Sequence, residues 1–310
     1  SALRRRRGGG NLQFLMRIVV TGCRGRIGSA LARRLGGAGN VCVPLDRAAL
    51  PLLDPEVVRA RLEPVDFDVL VNAAAMTSVD QCEVEPEAAW AVNATAPGVL
   101  AALCAAKGAR MVHISTDYVF DGTQPGLRRE DEEPRPLGVY GKCKRAGELA
   151  VLDSSPANLV VRTSWVFSPD RPSYPDRVLG MASQQDEVRA IADKWSSPCY
   201  SEDFAGWMRV VLADPAITGV LHLCNAGACS WQEYGQAVVD IAAAGGYPLR
   251  TRTVLPMLLS EMTCFTAARP VHTALGTGRF TALTGVIPRP WREALAEFLS
   301  RKLSPPAGQP

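Results

Sequence analysis

The sequence is poor in the residues that build metal centres and disulfide frameworks. It has only three histidines, His113, His222 and His272, which stand apart, and nine cysteines without any C-x-x-C pair. Cysteines scattered through apolar runs are typical of reduced, buried side chains in a cytoplasmic protein. We therefore expect no metal and no disulfide bonds, and we interpret His113 and His222 as core residues.

Long apolar segments and a strong net charge are also lacking. No stretch approaches about 18 uninterrupted apolar residues, so no membrane-spanning segment is predicted. The net charge is +3, part of which comes from the arginines at 4–7, and a nearly neutral remainder gives no case for a nucleic-acid partner. Residues 1–16, which also contain three consecutive glycines, are interpreted as a disordered leader or an expression remnant.

What is present indicates a folded α/β protein. Apolar residues make up 47% and charged residues 21% of the 310 positions, which suffices for a full core. Strand-like and helix-like segments alternate from residue 17 to 162, and this order predicts a Rossmann-like, doubly wound parallel sheet. We assign 17–165 plus about 200–224 to a dinucleotide-binding domain, and strand-like runs at 187–191 and 219–223 are candidates to extend its sheet. Residues 166–199 plus 225–310 are assigned to a smaller substrate-binding cap.

The first strand runs directly into a glycine-rich turn. Gly22, Gly25 and Gly28 follow the strand 17–21 and precede a helix that starts near Arg26 and Ile27. Gly22 permits a tight turn, Gly25 lets the backbone approach a pyrophosphate, and Gly28 lets the helix pack on the strand. Phosphate oxygens are then stabilised by the helix N-terminus. An ordinary strand-helix turn is the alternative.

Further residues that favour a dinucleotide follow the next two strands. Asp46 ends the second strand and would bind an adenosine ribose hydroxyl, whereas the adjacent Arg47 suits a 2′-phosphate, so the choice between NAD and NADP stays open. Leu53 and Asp54 precede a helix, of which Asp54 is alternatively the N-cap. The third strand runs into small residues that leave room for a bound ring, although they also suit a helix start; they are Ala73, Ala74 and Ala75, followed by Thr77.

Tyr140 and Lys144 form the candidate catalytic pair. Four residues apart on a helix, they lie on one face and can reach one reacting centre. A fixed cation lowers the pKa of a nearby phenol, which makes Tyr140 a candidate general acid. The chain has 29 arginines but only five lysines, so a lysine at position 144 is a departure from its usual cation. The alternative is a solvated helix face. Thr116, at the end of another strand, could bind the same carbonyl or cap a loop.

Several motifs together resemble a known family. They are Thr21-Gly22-x-x-Gly25-x-x-Gly28, Asn72-Ala73-Ala74-Ala75, the string from Ser115 to Gly122, Tyr140-x-x-x-Lys144 and Arg162-Thr163-Ser164-Trp165. In this order and spacing the chain, from about 16 to 299, resembles the dTDP-4-dehydrorhamnose reductase family of extended short-chain dehydrogenases/reductases. The string Ser-Thr-Asp-Tyr-Val-Phe-Asp-Gly is the specific part, since the other motifs recur across the superfamily.

The resemblance implies reduction of the 4-keto group of a nucleotide-linked, dTDP-type 6-deoxyhexose by NADPH or NADH. Tyr140 would then protonate the new alkoxide, Lys144 would hold the nicotinamide ribose, and Thr116 would orient the carbonyl. The resemblance also adds Asn93 to the cofactor site. It implies a sugar site formed by Asp117, Tyr118, Val119 and Trp165. A cytoplasmic enzyme is expected, and a homodimer is left open.

The chain departs from the family pattern only in the predicted cap. Ser173-Tyr174-Pro175 stands for the usual Asn-Phe-Val, and Leu275-Gly276-Thr277 stands for Leu-Asp-Thr. Residues 193–199, with Lys194 as their second member, replace Asp-Gln-x-Gly-x-Pro-Thr. We therefore hypothesise retained chemistry on a non-standard sugar of specialised deoxysugar biosynthesis. An epimerase or dehydratase of the same superfamily and a non-catalytic NADP-binding regulatory subunit are the alternatives.

Overall fold

A six-stranded parallel sheet runs through the chain. The computed structural model describes residues 16–36 and 40–303. The strands of the sheet are β1 (Arg17–Thr21), β2 (Val41–Leu45), β3 (Val69–Asn72), β4 (Arg110–Thr116), β5 (Leu159–Thr163) and β10 (Gly219–His222). Their order is β10-β5-β4-β3-β1-β2, and every pairing is parallel. The predicted α/β parallel sheet is confirmed, including its extension by the strand near 219–223.

Helices cover both faces of this sheet. They are α1 (Arg26–Leu35), α2 (Pro55–Leu62), α3 (Val79–Val84), α4 (Pro86–Trp90), α5 (Ala96–Lys107), α6 (Val139–Ser154) and α8 (Ser201–Ala213). Side chains alternate along a strand, so Ile18 and Val20 pack with α1 and α8 while Val19 packs with α2 and α5. Since β2 and β3 flank β1 on opposite sides, the order in which successive strands are added to the sheet reverses at β1. The connections that follow β1 and β3 therefore lead to opposite faces of the sheet, and ligands of such folds bind in the crevice between them, at the carboxyl ends of the strands.

The helical stretch Pro86–Lys107 is long and apolar enough to cross a bilayer by length and composition, but half of its most apolar window is buried inside the fold. Val99, Leu100 and Cys104 from this stretch pack in the cluster that covers one face of the sheet. A core helix of a globular fold shows the same composition.

A second hydrophobic cluster lies in the C-terminal half of the chain. Its helices are α7 (Tyr174–Gln184), α9 (Trp231–Ala244) and α11 (Trp291–Leu303). Short strands accompany them: β6 (Val166–Phe167), β7 (Val188–Ile191), β8 (Trp195–Ser196), β9 (Cys199–Tyr200), β11 (Cys229–Ser230) and β12 (Val254–Met257). The prediction that 187–191 extends the main sheet is wrong, because β7 pairs instead with β12.

The division into a dinucleotide-binding domain and a cap stays a prediction, and the packing refines it. Leu275 and Phe280, the latter on α10 (Gly278–Thr284), pack in the cluster of the main sheet, where Phe280 contacts Trp207. Part of the predicted cap therefore completes the sheet core. Residues 1–15 of the predicted leader lie outside the described residues. Met16, its last residue, donates its backbone N–H to Asn40 Oδ1 at 3.0 Å.

Candidate active site

The glycine turn after β1 forms a cradle at the carboxyl edge of the sheet. Gly22 has φ +65°, in the left-handed region, and a Cβ placed there would lie 2.7 Å from Ala74 N. A Cβ on Gly28 would lie 2.1 Å from Gly22 O. The turn and the Ala73–Ala74 segment thus pack backbone to backbone. The first turn of α1 carries neither a side-chain cap nor an acidic residue, which suits an anionic group such as a pyrophosphate.

The polar residues around the cradle are mostly paired within the chain. Arg26 donates from Nε to Pro172 O at 3.2 Å, and Ile27 packs against the sheet. Asp46 pairs with Arg24 Nε at 2.7 Å and accepts from two backbone N–H groups, while Arg47 is exposed. Arg24 was missed because it occupies a variable position of the glycine motif, and only the fold brings it to Asp46.

Asp54 and Asn93 both form hydrogen bonds with the backbone of the chain itself. Asp54 Oδ1 accepts from the backbone N–H groups of Glu56 and Val57, so the carboxylate is the N-cap of α2, which was the alternative interpretation. Asn93 is fully buried and bonds the backbone N–H and C=O of Met76, each at 2.9 Å. It therefore fixes the loop that follows β3. Leu53 and Thr77 are exposed.

Tyr140 lies beside Thr116 because α6 approaches the end of β4 very closely. A Cβ on Gly141 would lie 2.3 Å from Tyr118 O, so the glycine after Tyr140 allows this approach. Glu83 accepts from Val139 N at 2.7 Å and fixes the first turn of α6. The Thr116 side chain lies close enough to the Tyr140 hydroxyl to act on its pKa through hydrogen bonding.

A buried ion pair anchors α6 to the sheet. The two carboxylate oxygens of Glu148 accept from Arg162 Nε and Nη2 of β5, each at 2.8 Å, and both side chains are almost fully buried. Such a two-point contact fixes position as well as orientation. The helix that carries Tyr140 and Lys144 is therefore fixed relative to β4 and β5.

Lys144 continues a row of polar side chains across the sheet. Thr21, Asn72 and His113 are register partners on β1, β3 and β4. Thr21 Oγ1 lies 2.6 Å from Asn72 Oδ1, and Asn72 Nδ2 lies 3.1 Å from His113 Nδ1. Lys144 Nζ lies 3.1 Å from His113 Nε2 and donates to Ile114 O at 2.6 Å. His113 is buried as predicted, but it also bonds the candidate catalytic lysine.

The polarity of this row depends on the charge of Lys144. An ammonium only donates, so His113 Nε2 must accept from it, and the ring proton then resides on Nδ1 and faces Asn72. A half-turn of the Asn72 amide presents its oxygen to that proton. A neutral amine can also accept, so it permits the opposite arrangement, in which Nε2–H donates to Nζ and the Asn72 amide donates to Nδ1. The ammonium form of Lys144 thus allows one arrangement of the row, whereas the neutral form allows both.

Burial dominates the electrostatics of both candidate catalytic groups. It raises the pKa of Tyr140 well above its ordinary value, and the hydrogen bond with Thr116 opposes this only in part. Burial also lowers the pKa of Lys144 to about 8, against the opposing charge of Glu148. The expected lowering of the Tyr140 pKa by Lys144 is not seen, because the ammonium is directed to His113 and Ile114.

The residues predicted for the sugar site divide into lining and supporting groups. Tyr118 and Trp165 are half-buried. Val119 is fully buried in the sheet core, since the helical turn 117–119 directs it inward, so its side chain cannot line the site. Asp117 is also buried, and its carboxylate accepts from four hydroxyls at 2.6–3.1 Å: those of Thr116, Ser164, Ser196 and Thr273.

Lys194 is a further residue of this region whose position only the fold reveals. Its side chain is fully buried, with Nζ 5.2 Å from the Tyr118 ring centroid and 5.7 Å from that of Trp165. Tyr118 in turn contacts Tyr140 edge to face, at 5.7 Å between centroids. The ammonium therefore lies one aromatic ring away from the candidate acid. The only sequence signal was a lysine within a segment that departs from the family pattern.

Fold and site together define a dinucleotide-binding protein of the short-chain dehydrogenase/reductase class. The family model for the RmlD substrate binding domain matches residues 16–304, and the chain belongs to this family. The chain is 37% identical over 287 residues to a dTDP-4-dehydrorhamnose reductase from Mycolicibacterium smegmatis, covering 92% of this chain and 85% of that one. It is 34% identical over 290 residues to the spore coat polysaccharide biosynthesis protein SpsK from Bacillus subtilis, covering 94% and 99%. The structure of a dTDP-4-dehydrorhamnose reductase from Bacillus anthracis in complex with NADP superposes with TM-score 0.84 at 28% identity, covering 92% and 99%.

Proposed function

We propose that this protein reduces the 4-keto group of a dTDP-linked 6-deoxyhexose with NADPH or NADH. The observation that carries this proposal is the close approach of α6 to the carboxyl end of β4, which brings Tyr140 beside Thr116 at the same sheet edge as the glycine cradle. Relatives named dTDP-4-dehydrorhamnose reductase, one of them solved with NADP, support it.

The cradle and the segments next to it would hold the cofactor. Gly22, Gly25 and Gly28 leave room for a pyrophosphate at the start of α1, and Ala73–Ala75 leave room for a flat ring beyond β3. When bound, the dihydronicotinamide supplies the hydride. Arg24, Asp46 and Arg47 lie near one another after β1 and β2 and would face the adenosine ribose. Their mixed charges leave the choice between NADPH and NADH open.

Tyr140 would donate the proton. Burial keeps the phenol protonated, and a sugar alkoxide is far more basic than a phenolate, so transfer from Tyr140 to the new alkoxide is downhill. Thr116 lies next to the same hydroxyl, and its own O–H donates to Asp117 Oδ1 at 3.1 Å. A rotation about its Cα–Cβ bond would redirect this O–H to the carbonyl oxygen and fix the position of that oxygen.

Lys144 would hold the nicotinamide ribose. Of its three N–H donors, one is directed to Ile114 O and one to His113 Nε2. One donor is left for a ribose hydroxyl. Two fixed acceptors determine the direction of that remaining N–H bond, which makes His113 a positioning residue for Lys144.

The alternatives fit the geometry less well. A dehydratase needs an additional acid or base beside the tyrosine, but the Asp117 carboxylate already accepts from four hydroxyls. A non-catalytic subunit would not need the buried Thr116–Tyr140 contact. A cytoplasmic location and a homodimer stay predictions, as do the expected absences of a nucleic-acid and a membrane partner.

A reductase assay tests the proposal. Purified protein with dTDP-4-dehydrorhamnose should oxidise NADPH or NADH in a 1:1 ratio to sugar reduced, measured by absorbance. Tyr140→Phe should lower turnover about 10²- to 10⁴-fold and leave coenzyme affinity nearly unchanged, because it removes only the proton donor. Product formation without net coenzyme oxidation would instead indicate an epimerase. Unchanged turnover in Tyr140→Phe would remove Tyr140 from the mechanism.

A further inference from the structure

Lys194 is a buried cation whose N–H groups find no acceptor within residues 16–36 and 40–303. Burial lowers the pKa of this lysine to about 8, with the Asp117 charge opposing, so the ammonium form prevails at neutral pH. A buried donor without a partner is costly, and such groups in native proteins usually have a reason. The position of Lys194 beside the proposed sugar site suggests that the reason is a ligand.

The nearest carboxylate does not satisfy these donors. Asp117 balances the charge of Lys194 through space, but four hydroxyls occupy its oxygens. Arg269, the other nearby cation, is paired with Asp80 at 2.6 Å. Charge in this region is therefore nearly balanced while the hydrogen bonds of Lys194 are unmade. That combination calls for a neutral oxygen acceptor rather than for an anion.

The surroundings of Lys194 suit a sugar. Trp165, one of the two rings over Nζ, also contacts Trp231 at 5.5 Å between centroids, and Trp231 Nε1 is a second buried donor that has no acceptor among the described groups. Flat rings with nearby donors match a hexose, which offers an apolar face and several oxygens. Nζ is sealed from solvent, so an acceptor reaches it when a neighbouring ring moves. Tyr118 and Trp165 are both only half-buried, and Trp165 has φ +39°, unusual for a non-glycine residue.

We propose that Lys194 is a specificity-determining residue that donates to a hydroxyl oxygen at C2 or C3 of the hexose. The C4 carbonyl would face Tyr140 and Thr116, and Lys194 lies one ring, Tyr118, away from Tyr140. In a 6-deoxyhexose the neighbour of C4 on one side carries a methyl group, whereas C3 and C2 carry hydroxyls. The substrate class is therefore a 4-keto-6-deoxyhexose that keeps the oxygen to which Lys194 donates, rather than a sugar deoxygenated at that carbon.

Binding measurements test this assignment. The proposal rests on the proposed function, but calorimetry with the product dTDP-rhamnose and its 2-deoxy and 3-deoxy analogues does not depend on turnover when the protein is saturated with NADPH, because sugar and coenzyme are then both reduced and no hydride can be transferred. Wild type should bind dTDP-rhamnose about tenfold to a hundredfold more tightly than one of the two analogues, as expected when a charged donor loses its acceptor. Lys194→Met should bind all three with similar affinity.

The controls separate this role from a structural one. Lys107 also lies over an aromatic ring, with Nζ 5.7 Å from the Phe67 centroid on the far side of the sheet, so Lys107→Met should keep the wild-type preference. Lys194→Gln, which retains an N–H donor without the charge, should show part of the wild-type preference for dTDP-rhamnose over the deoxy analogue. The proposal is overturned if Lys194→Met keeps the full preference, or if it weakens binding of dTDP alone as much as that of dTDP-rhamnose. Failure of the reductase assay with a confirmed preference would remove only the proposed reaction.

Discussion

Lys144 and Lys194 are equally buried, and burial lowers the pKa of each to about 8, yet they differ in their partners. Lys144, at the carboxyl edge of the main sheet, has two acceptors from β4. Lys194, next to the aromatic side chains around Trp165, has none in the part of the chain that the structure describes. The first lysine is positioned before any ligand arrives, whereas the second is completed by one.

This difference separates catalytic geometry from substrate choice. The groups proposed for catalysis are fixed by contacts of the fold itself: Lys144 by His113, and α6, which carries Tyr140 and Lys144, by the Glu148–Arg162 pair. Such preorganisation lowers the cost of reaching the transition state. Lys194, whose N–H groups would be satisfied only by a bound sugar, instead makes the affinity for the sugar depend on which oxygens that sugar carries. Substitution of Lys144, which has partners in the fold, should therefore lower kcat, whereas substitution of Lys194 should change the affinity for the sugar.

Replacement of Lys144 should have the largest effect of these substitutions. Lys144→Met removes the ammonium, leaves His113 and the Ile114 carbonyl without their donor, and should lower kcat about 10²- to 10⁴-fold in the reductase assay. Lys194→Met should act mainly on sugar affinity, with kcat changed much less. A loss of kcat in Lys194→Met as large as that in Lys144→Met would contradict the division between the two lysines.

The pH dependence should report Lys144. Its ammonium is present below pH 8 and is lost as the pH rises through its pKa, so kcat should fall above about pH 8. Glu148 and Cys143 face Lys144 and raise its pKa, while burial holds the pKa of the Cys143 thiol above its ordinary value. His113, which the buried site keeps neutral, should not titrate in this range.

Two variants identify the group that causes this decline. His113→Leu removes one acceptor of the ammonium and should move the midpoint to lower pH, with kcat reduced about tenfold. Lys194→Met should leave the midpoint unchanged, although Lys194 has a similar pKa. If Lys194→Met abolished the alkaline decline of kcat, the titrating group would be Lys194, and the assignment to Lys144 would be wrong.

The smallest effect on function is expected when Asp54 is replaced, because its carboxylate already caps α2. Asp54→Ala removes the N-cap of α2 and should cost about 1 kcal/mol of unfolding free energy, measured by denaturant titration. The KM for coenzyme should not change, since the carboxylate is directed to Glu56 and Val57. Glu63→Ala at the other end of α2 is the matched control for stability. A tenfold rise in the coenzyme KM would restore Asp54 to the cofactor site.

Local patterns predicted most of the main sheet and the places of its candidate residues. Strand runs such as 17–21 and 110–114, the glycine spacing and the four-residue Tyr-Lys interval depend on neighbours in the chain. The prediction failed for 187–191, because its pairing partner β12 lies more than sixty residues away and carries no strong strand signal. It also misjudged Val119, since the turn at 117–119 decides which side chain faces inward.

The sequence alone therefore determined the class of fold, and it singled out the glycine turn and the proposed acid-base pair, because each of these patterns depends on short-range backbone chemistry. Tertiary structure decided which polar groups already have partners. The row Thr21–Asn72–His113–Lys144 joins three strands and a helix, and the hydroxyls that donate to Asp117 come from four separate segments. Hydrogen-bond satisfaction is a property of the assembled interior, where each buried donor must find an acceptor that is distant in sequence.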